Sequence, residues 1–330
     1  MSGSNGGETM QAIAVEGGKG APAQALRLVT LPRPTPGPGQ ILIRVRAAGL
    51  NRADTLQRQG AYPPPPGAPD TLGLEVAGEV AVAAGRWQVG DRVCALLGGG
   101  GYAEYAVVDA RHGLPIPQDM DFVQAAALPE TVLTVFANVF EHAGLKAGET
   151  FMVHGATSGI GTTAIQMARA AGARTIGTVR GAAKAKAARD LGCDLVIDST
   201  AQDFAAVVKA AGGCDVVLDM VGGDYFAKNV DALKVGGRIT YIAAQAGGEV
   251  PLNINRLMQK RGAVMGSTLR PRDADEKARL TAAVEAAVWP WVRSGQVRPP
   301  VDRTFPLADA AQAHALMEAG DFVGKLILVP

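Results

Sequence analysis

Cysteine is scarce in this chain. Its 330 residues include three, Cys94, Cys193 and Cys214, an odd number with no C-x-x-C pair. An odd count of widely spaced thiols is not the pattern of a disulfide framework, and without a C-x-x-C pair a structural zinc site is not expected either. Histidine is equally thin: His112, His142, His154 and His314, no two of them at metal-ligand spacing. Charge is sparse as well, at 19% of residues, with 32 basic side chains against 31 acidic ones and a net +1. A nucleic-acid partner calls for a concentrated basic surface, and none is present. The most apolar stretch, Phe122 to Phe140, is interrupted by Pro129, Glu130 and Asn138 and does not read as a membrane span. The Gly/Ser-rich start lacks the basic and apolar regions of a signal peptide and reads as a tail over residues 1–9. A cytoplasmic protein with neither a membrane nor a nucleic-acid partner is the expectation.

Glycine, by contrast, is abundant at 42 residues, nearly twice the usual ~7% and without a collagen period. Tight turns and close backbone approaches are the reason to use it, because glycine alone tolerates positive φ at little cost. Residues 10 to 128 read as strands between Pro- and Gly-rich turns, among them Gln40 to Arg46 and Leu74 to Val82. After residue 145 short apolar runs begin near Thr150, Arg174, Asp194, Asp215, Arg238 and Ala263, about 20 to 25 residues apart, the rhythm of a parallel βαβ sheet. Six such strands complete a dinucleotide-binding sheet. A long helical pattern from Asp273 to Arg293 follows, interrupted late by Pro290. The last strand, Leu326 to Val329, falls outside the rhythm and is expected to return to the first domain.

The run Thr150 to His154 leads into Gly155-Ala-Thr-Ser-Gly159-Ile-Gly161 and then a helical pattern to Ala171. A strand, a glycine turn and a helix N-terminus together make an anion site from free N–H groups and the helix dipole. The spacing G-x-x-x-G-x-G differs from the commoner G-x-G-x-x-G. An NAD site places an acid at the end of the second strand to hold the ribose hydroxyls. Here that strand, Arg174 to Arg180, ends without one, and Arg180 and Lys184 offer cations for a 2′-phosphate. NADPH is therefore the expected cofactor. His154, at the end of the first sheet strand, reads as a satisfied near-core residue. Gly98 to Gly101 reads as a turn, since no strand-to-helix pattern frames it.

Hydride transfer to a simple ketone needs a metal or a proton donor to take up charge on oxygen. The sequence offers no zinc constellation and no Tyr-x-x-x-Lys pair, as Tyr225 is followed by Lys228. The acceptor must then be electron-poor itself, as quinones and α,β-unsaturated carbonyls are, with the protein supplying positioning and a dry slot.

These features, together with Leu50-Asn-Arg-Ala-Asp54, Gln57-Arg-Gln-Gly60, Tyr62, Leu72 to Gly78, Val89 to Val93, Ala125 to Glu130, Leu133-Thr134 and Lys325, resemble the zinc-free, zeta-crystallin-like quinone oxidoreductases of the medium-chain dehydrogenase/reductase superfamily. The subgroup of the tumour-suppressor-induced quinone oxidoreductase is the nearest likeness. The resemblance runs from Met10 to the C-terminus. It implies an α/β protein: a Rossmann doubly wound parallel sheet over 129–270 binding NADPH, and a GroES-like partly β catalytic domain over 10–128 and 271–330, with a cleft between them. Zinc-bearing relatives carry Cys and His where this chain has Asn51 and Leu74, and Glu75 matches the acid they retain.

Carried over residue by residue, the resemblance puts Asn51 and Asp54 at the nicotinamide end, Tyr62 near the substrate mouth and Thr134 beside the nicotinamide. These four are the candidate catalytic residues, and Asn51 and Thr134 also count as cofactor contacts. Ser158, Gly159, Ile160 and Gly161 would wrap the pyrophosphate. Thr178, Arg180, Lys184 and Ser199 would meet the adenosine ribose and its phosphate. Ile242, Ala243 and Ala244 would approach the carboxamide, and Ser267, Leu269, Arg270 and Lys325 would add further cofactor contacts. No metal site is expected. Members of the family usually pair the sixth sheet strand across a two-fold axis, so the resemblance implies that Arg261 to Leu269 would be a dimer edge, and a homodimer is expected. Two other readings stand beside the quinone reductase: an enone or enoyl-thioester reductase on the same scaffold, and an NADPH-binding redox sensor with little turnover.

Overall fold

All six apolar runs of the alternating region are strands in the computed structural model, which describes residues 8–18 and 20–330. In chain order, β1 (Thr9–Val15), β2 (Leu26–Pro32), β3 (Gln40–Gly49), β4 (Glu75–Val82), β5 (Arg92–Leu96), β6 (Tyr105–Asp109) and β7 (Gly113–Pro115) come first. The alternating region supplies β8 (Thr150–His154), β9 (Arg174–Val179), β10 (Leu195–Asp198), β11 (Cys214–Asp219), β12 (Leu233–Tyr241) and β13 (Ala263–Gly266). Last come β14 (Val301–Pro306) and β15 (Lys325–Val329). Most of the expected tail, residues 1–7, lies outside the described residues. The first strand begins at Thr9, one residue earlier than expected, because Thr9 already pairs with Pro32.

The chain divides into two units. One holds the chain up to Glu130 with Arg270–Glu285 and Pro300–Pro330; the other holds Thr131–Leu269 with Ala286–Pro299. In the second unit β8 to β13 form one parallel sheet in the order β10-β9-β8-β11-β12-β13. This is the doubly wound dinucleotide order, with its switch point between β8 and β11. Strands covered on both faces need apolar side chains on both, and Phe151, Met152 and Val153 are accordingly fully buried. Met152, Ile176, Ile197, Val217 and Ile239 from five strands pack with Phe204 and Phe226 from the helices Phe204–Ala210 and Tyr225–Ala232.

In the first unit β3 is the organising strand. It pairs antiparallel with β4, with β6 over Gln40 to Arg44, and with β15 at Ala48 and Gly49. The C-terminal strand thus returns to the first part of the chain, as its place outside the rhythm implied. Ile41, Ile43 and Val45 join Val76, Val80, Val93, Leu326 and Leu328 in one core. Burying each such side chain contributes ~1.5–3 kcal/mol.

Two expectations need correction. Residues 286–299 belong with the second unit, not with 271–330 as a whole. The helix Ala274–Ala287 ends, and a short helix Trp289–Arg293 starts with Pro290 near its N-terminus, where a missing N–H is not needed. The Trp291 ring then lies 6.2 Å from that of Phe140, and Gln166 exchanges two hydrogen bonds with Arg298. The second correction concerns Phe122–His142, a helical stretch long and apolar enough to cross a membrane by length and composition. Pro129 opens a helix there instead of breaking one. With 72% of its apolar window buried inside the protein, the stretch serves as core.

Candidate active site

The glycine turn joins β8 to the helix Gly159–Ala170. Ser158 is the N-cap, its hydroxyl accepting from Gly161 N–H at 3.0 Å. This cap takes up one orphan donor of the first turn and leaves the Gly159 and Ile160 N–H groups for an anion. Gly155 has φ +69°, and a Cβ on Gly161 would lie 2.2 Å from the Gly155 carbonyl oxygen. The turn closes that tightly only with glycine at both places.

At the end of β9, Arg180 is exposed and Lys184 half-buried in the helix Ala182–Asp190. No carboxylate follows on that strand, but sequence reasoning missed Asp198 on β10. Its Oδ1 accepts from Gly181 N at 2.9 Å and from Thr200, and these bonds, Gly181 first, hold its carboxyl below the usual range. Asp198 thereby steadies the turn that carries Arg180. Ser199 donates its hydroxyl to Val179 O at 3.0 Å and keeps its lone pairs. Thr178 departs from expectation. It is 2% exposed, and its hydroxyl lies 2.8 Å from His154 Nδ1. Asn229 donates to Asp219 Oδ2, so its own Oδ1 accepts from His154 Nε2–H at 2.7 Å, and Nδ1 is left to accept from Thr178. The Thr178 side chain therefore faces inward, toward His154.

Thr134 is 6% exposed, on the helix Pro129–Val135. Asn138, one turn on within the π-helix Phe136–His142, reads in the sequence only as an interruption of an apolar run. Its Nδ2 donates to Thr134 O at 2.9 Å, while Oδ1 accepts from Thr240 at 3.1 Å and Ser267 at 2.9 Å. One buried amide thus ties Thr134 and Ser267, both expected cofactor contacts, into one cluster. Ile242 follows β12, its N–H donating to Asp219 O at 3.0 Å. Ala243 and Ala244 after it are exposed, and Leu269 is half-buried.

In the first unit, Asn51 caps the helix Arg52–Arg58 and meets a buried ion pair. Lys325 Nζ donates to Leu50 O at 2.8 Å, to Asn51 Oδ1 at 2.7 Å and to Glu75 Oε1. Asn51 Nδ2 donates to the same Glu75 oxygen at 2.9 Å, and Glu75 Oε2 accepts from Glu130 N. Lys325, expected at the cofactor, has all three of its N–H donors engaged within the protein. Its ammonium and Glu75 together fix the Asn51 amide and leave one Nδ2–H over.

Asp54 is fully buried and accepts from Asn51 N at 2.8 Å, Gly73 N at 3.1 Å and Tyr102 OH at 3.2 Å. Burial pushes its carboxyl up to about 6, against the opposing backbone bonds and the Lys325 charge. Behind it stand residues that the sequence reading did not single out. Arg58 Nη1 donates to His314 Nδ1 at 3.1 Å, so Nε2 carries the proton toward the Tyr102 hydroxyl at 3.2 Å, which in turn donates to Asp54. Burial, with the Arg58 charge adding to it, pushes His314 down to about 3. The chain is polarised from a cation at Arg58 to a carboxyl at Asp54. Asp54 is a buried hub, then, with no surface of its own for a ligand.

Tyr62 is half-buried, and burial pushes its phenol above the usual range. Arg270 lies 5.3 Å from the centre of its ring. The glycines of Gly98 to Gly101 run along residues 71–73, with Gly100 N to Thr71 O at 2.7 Å and Gly101 N to Gly73 O at 3.0 Å. That is backbone packing, as the lack of a helix behind the run implied.

Among the described residues no group of three or more His, Cys, Asp or Glu side chains converges to hold a metal ion. The three thiols are buried, and burial pushes each of them up.

Residues 37–118 match the alcohol dehydrogenase GroES-like domain, and 191–328 match the zinc-binding dehydrogenase domain. The chain is 34% identical to a quinone oxidoreductase of Pseudomonas aeruginosa, over 89% of this chain and 92% of that one. It is 31% identical to the quinone oxidoreductase of Rattus norvegicus, over 90% and 91%. Among solved structures, mycobacterial Rv1454c complexed with NADPH superposes with a TM-score of 0.85 at 30% identity, covering 97% of this chain and 100% of that one. With a dinucleotide-type turn and sheet in one unit and a GroES-like domain in the other, the chain belongs to the medium-chain dehydrogenase/reductase superfamily, as an NAD(P)H oxidoreductase of its quinone-oxidoreductase-like branch.

Proposed function

We propose that the protein reduces quinones and other electron-poor acceptors with NADPH and without a metal. The observation that carries this is the glycine turn beside a second strand that is followed by exposed Arg180 and carries no acid at its end. Asn51 and Leu74 stand where the resemblance places ligands in zinc-bearing relatives, and the Asn51 amide is held instead by Lys325 and Glu75, which supports the metal-free part. When bound, NADPH supplies a hydride. The Gly159 and Ile160 N–H groups hold the pyrophosphate against the helix N-terminus, with Ser158 and Gly161 shaping the turn. Arg180 and Lys184 pair the 2′-phosphate, and Ser199 accepts from the ribose. Backbone groups of Ile242, Ala243 and Ala244, with Thr134, Ser267 and Leu269, orient the nicotinamide. Asn51 presents its remaining Nδ2–H to the oxygen on which charge develops. The quinone takes up one hydride and one proton and leaves as hydroquinone.

The Tyr62 phenol favours a second reading. A phenol is protonated at neutral pH and can deliver a proton to the carbon of an enone, although burial raises its pKa and weakens it as an acid. Steady-state turnover of an ortho-quinone and a linear enone by the wild type and Tyr62→Phe separates the two. The quinone reading expects fast quinone turnover in both proteins. Turnover of the enone alone, lost in Tyr62→Phe, promotes the second reading, and NADPH binding with neither turnover points to a sensor.

A homodimer through β13 is part of the proposal. That strand has one sheet neighbour, β12, and the adjoining helix Ile254–Lys260 buries none of its residues. Ile254, Met258 and Val264 are 62%, 68% and 41% exposed, which makes an apolar edge unless a second copy covers it.

A further inference from the structure

Arg270 is almost fully buried at 5% exposure, and its donors are turned toward three separate segments of the first unit. Nε and Nη2 donate to Gly98 O at 3.0 and 2.8 Å, Nη2 also to Gln57 Oε1 at 2.6 Å, and Nη1 to Tyr62 O at 3.2 Å. The guanidinium also lies near the Tyr62 ring, within range of a cation–π attraction. Its own carbonyl accepts from Lys277 Nζ at 2.7 Å, which fixes the backbone from which it reaches.

The segment it grips has few ties of its own. Pro63 to Pro66 carry no N–H, so four consecutive residues donate nothing to backbone bonding. Backbone bonds to the rest of the unit resume beyond them, where Thr71, Leu72 and Gly73 accept from Gly100, Tyr102 and Gly101. Before them, Ala61 and Tyr62 donate to Leu56 O at 2.9 and 3.3 Å. Between these anchors Ala68 N–H closes a local turn on Pro65 O at 3.0 Å, which bends the loop without attaching it to anything else. Attachment comes from side chains, through Gln57 Nε2 on Asp70 O at 3.0 Å and through Arg270. A planar fork of five donors can satisfy carbonyls in three directions at once, which a lysine cannot.

We propose that Arg270 is a positioning residue for the acceptor: by holding Tyr62 and the proline loop to Gln57 and Gly98, it fixes one wall of the acceptor site and so sets which quinones fit. The proposal rests on the reading that Tyr62 borders the acceptor. It assigns Arg270 a role other than the cofactor contact expected from the resemblance.

The test compares the wild type with Arg270→Met, Arg270→Lys and Gln57→Ala, each checked for an intact unfolding transition. Three readouts are taken: amide exchange over residues 56–72, the kcat/KM ratio between a three-ring ortho-quinone and benzoquinone, and the NADPH Kd without acceptor. Arg270→Met is expected to speed exchange in the loop about tenfold and to shift the kcat/KM ratio about tenfold, mostly through KM. The NADPH Kd should stay within about threefold of wild type, since a factor near one means no lost cofactor contact. Arg270→Lys should recover part of both effects, and Gln57→Ala should move both the same way by less. A rise of about tenfold in the NADPH Kd with exchange unchanged overturns the proposal and makes Arg270 a cofactor ligand. Unchanged exchange and an unchanged ratio in Arg270→Met overturn it as well. If the wild type binds NADPH but reduces no quinone, the functional reading fails, and the exchange data alone decide whether Arg270 holds the loop.

Discussion

Lys325 and Glu75 make a buried ion pair whose partners depend on each other. Removing one leaves an uncompensated charge inside the first unit, at a cost of ~3–5 kcal/mol. Lys325→Met should therefore lower the urea midpoint sharply, and Lys325→Met with Glu75→Leu should recover much of the loss; equal damage in both would show that the pair is not the source. Asp54 and His314 give a pH signature with opposite signs. The folded pKa of Asp54 is raised from 3.8 to about 6, so the native state holds the extra proton in that window and stability falls as pH rises through it. The folded pKa of His314 is lowered from 6.5 to about 3, so the unfolded state holds the extra proton and stability falls as pH drops from 6.5 toward 3. Between 3.8 and 6 the two one-proton slopes cancel. Asp54→Asn removes one of them. As pH falls from about 6 to 3.8, the variant should lose stability relative to wild type by up to ~1.4 kcal/mol per pH unit. Urea titrations at several pH values would show it, and parallel pH profiles for variant and wild type would count against these shifts.

In the proposed function, cofactor binding depends on the glycine turn. A methyl group on Gly161 would collide with the Gly155 carbonyl, so Gly161→Ala must open the turn. NADPH affinity should drop at least about tenfold, the loss of one or two good anion contacts. A fluorescence titration measures this, and wild-type affinity in the variant would mean that the anion binds elsewhere. This turn and the six strands are legible in the sequence because their signals are local: an apolar run, a glycine spacing, a helix start. What the sequence hides is the set of partners brought together from distant positions. Asn138 reads as an interruption of an apolar stretch, yet it ties Thr134 to Ser267. Thr178 reads as a ribose contact, but His154 turns it inward. His314 and Arg58 are silent, because nothing in either neighbourhood announces a hydrogen-bonded chain to Asp54. Residues 286–299 go to the wrong domain on sequence alone, because a helical pattern does not say which core it faces.

For the whole molecule, assembly and cofactor choice are the two properties to be tested. If a second copy covers β13, Val264→Lys should convert dimer to monomer in sedimentation while NADPH binding persists. A monomeric wild type would remove the dimer from the account. In the proposed function, cofactor choice rests with Arg180, whose exposed guanidinium, with no acid beside it on β9, suits a 2′-phosphate. The most direct measurement is the oxidation of NADPH, with NADH as control, by the purified protein with an ortho-quinone as acceptor. Rapid quinone-dependent oxidation of NADPH is expected, with little oxidation of NADH and no loss of rate after treatment with a chelator. Equal rates with both cofactors would contradict the role given to Arg180, and loss of activity with a chelator would contradict the metal-free reading. No oxidation of either cofactor would contradict the account as a whole.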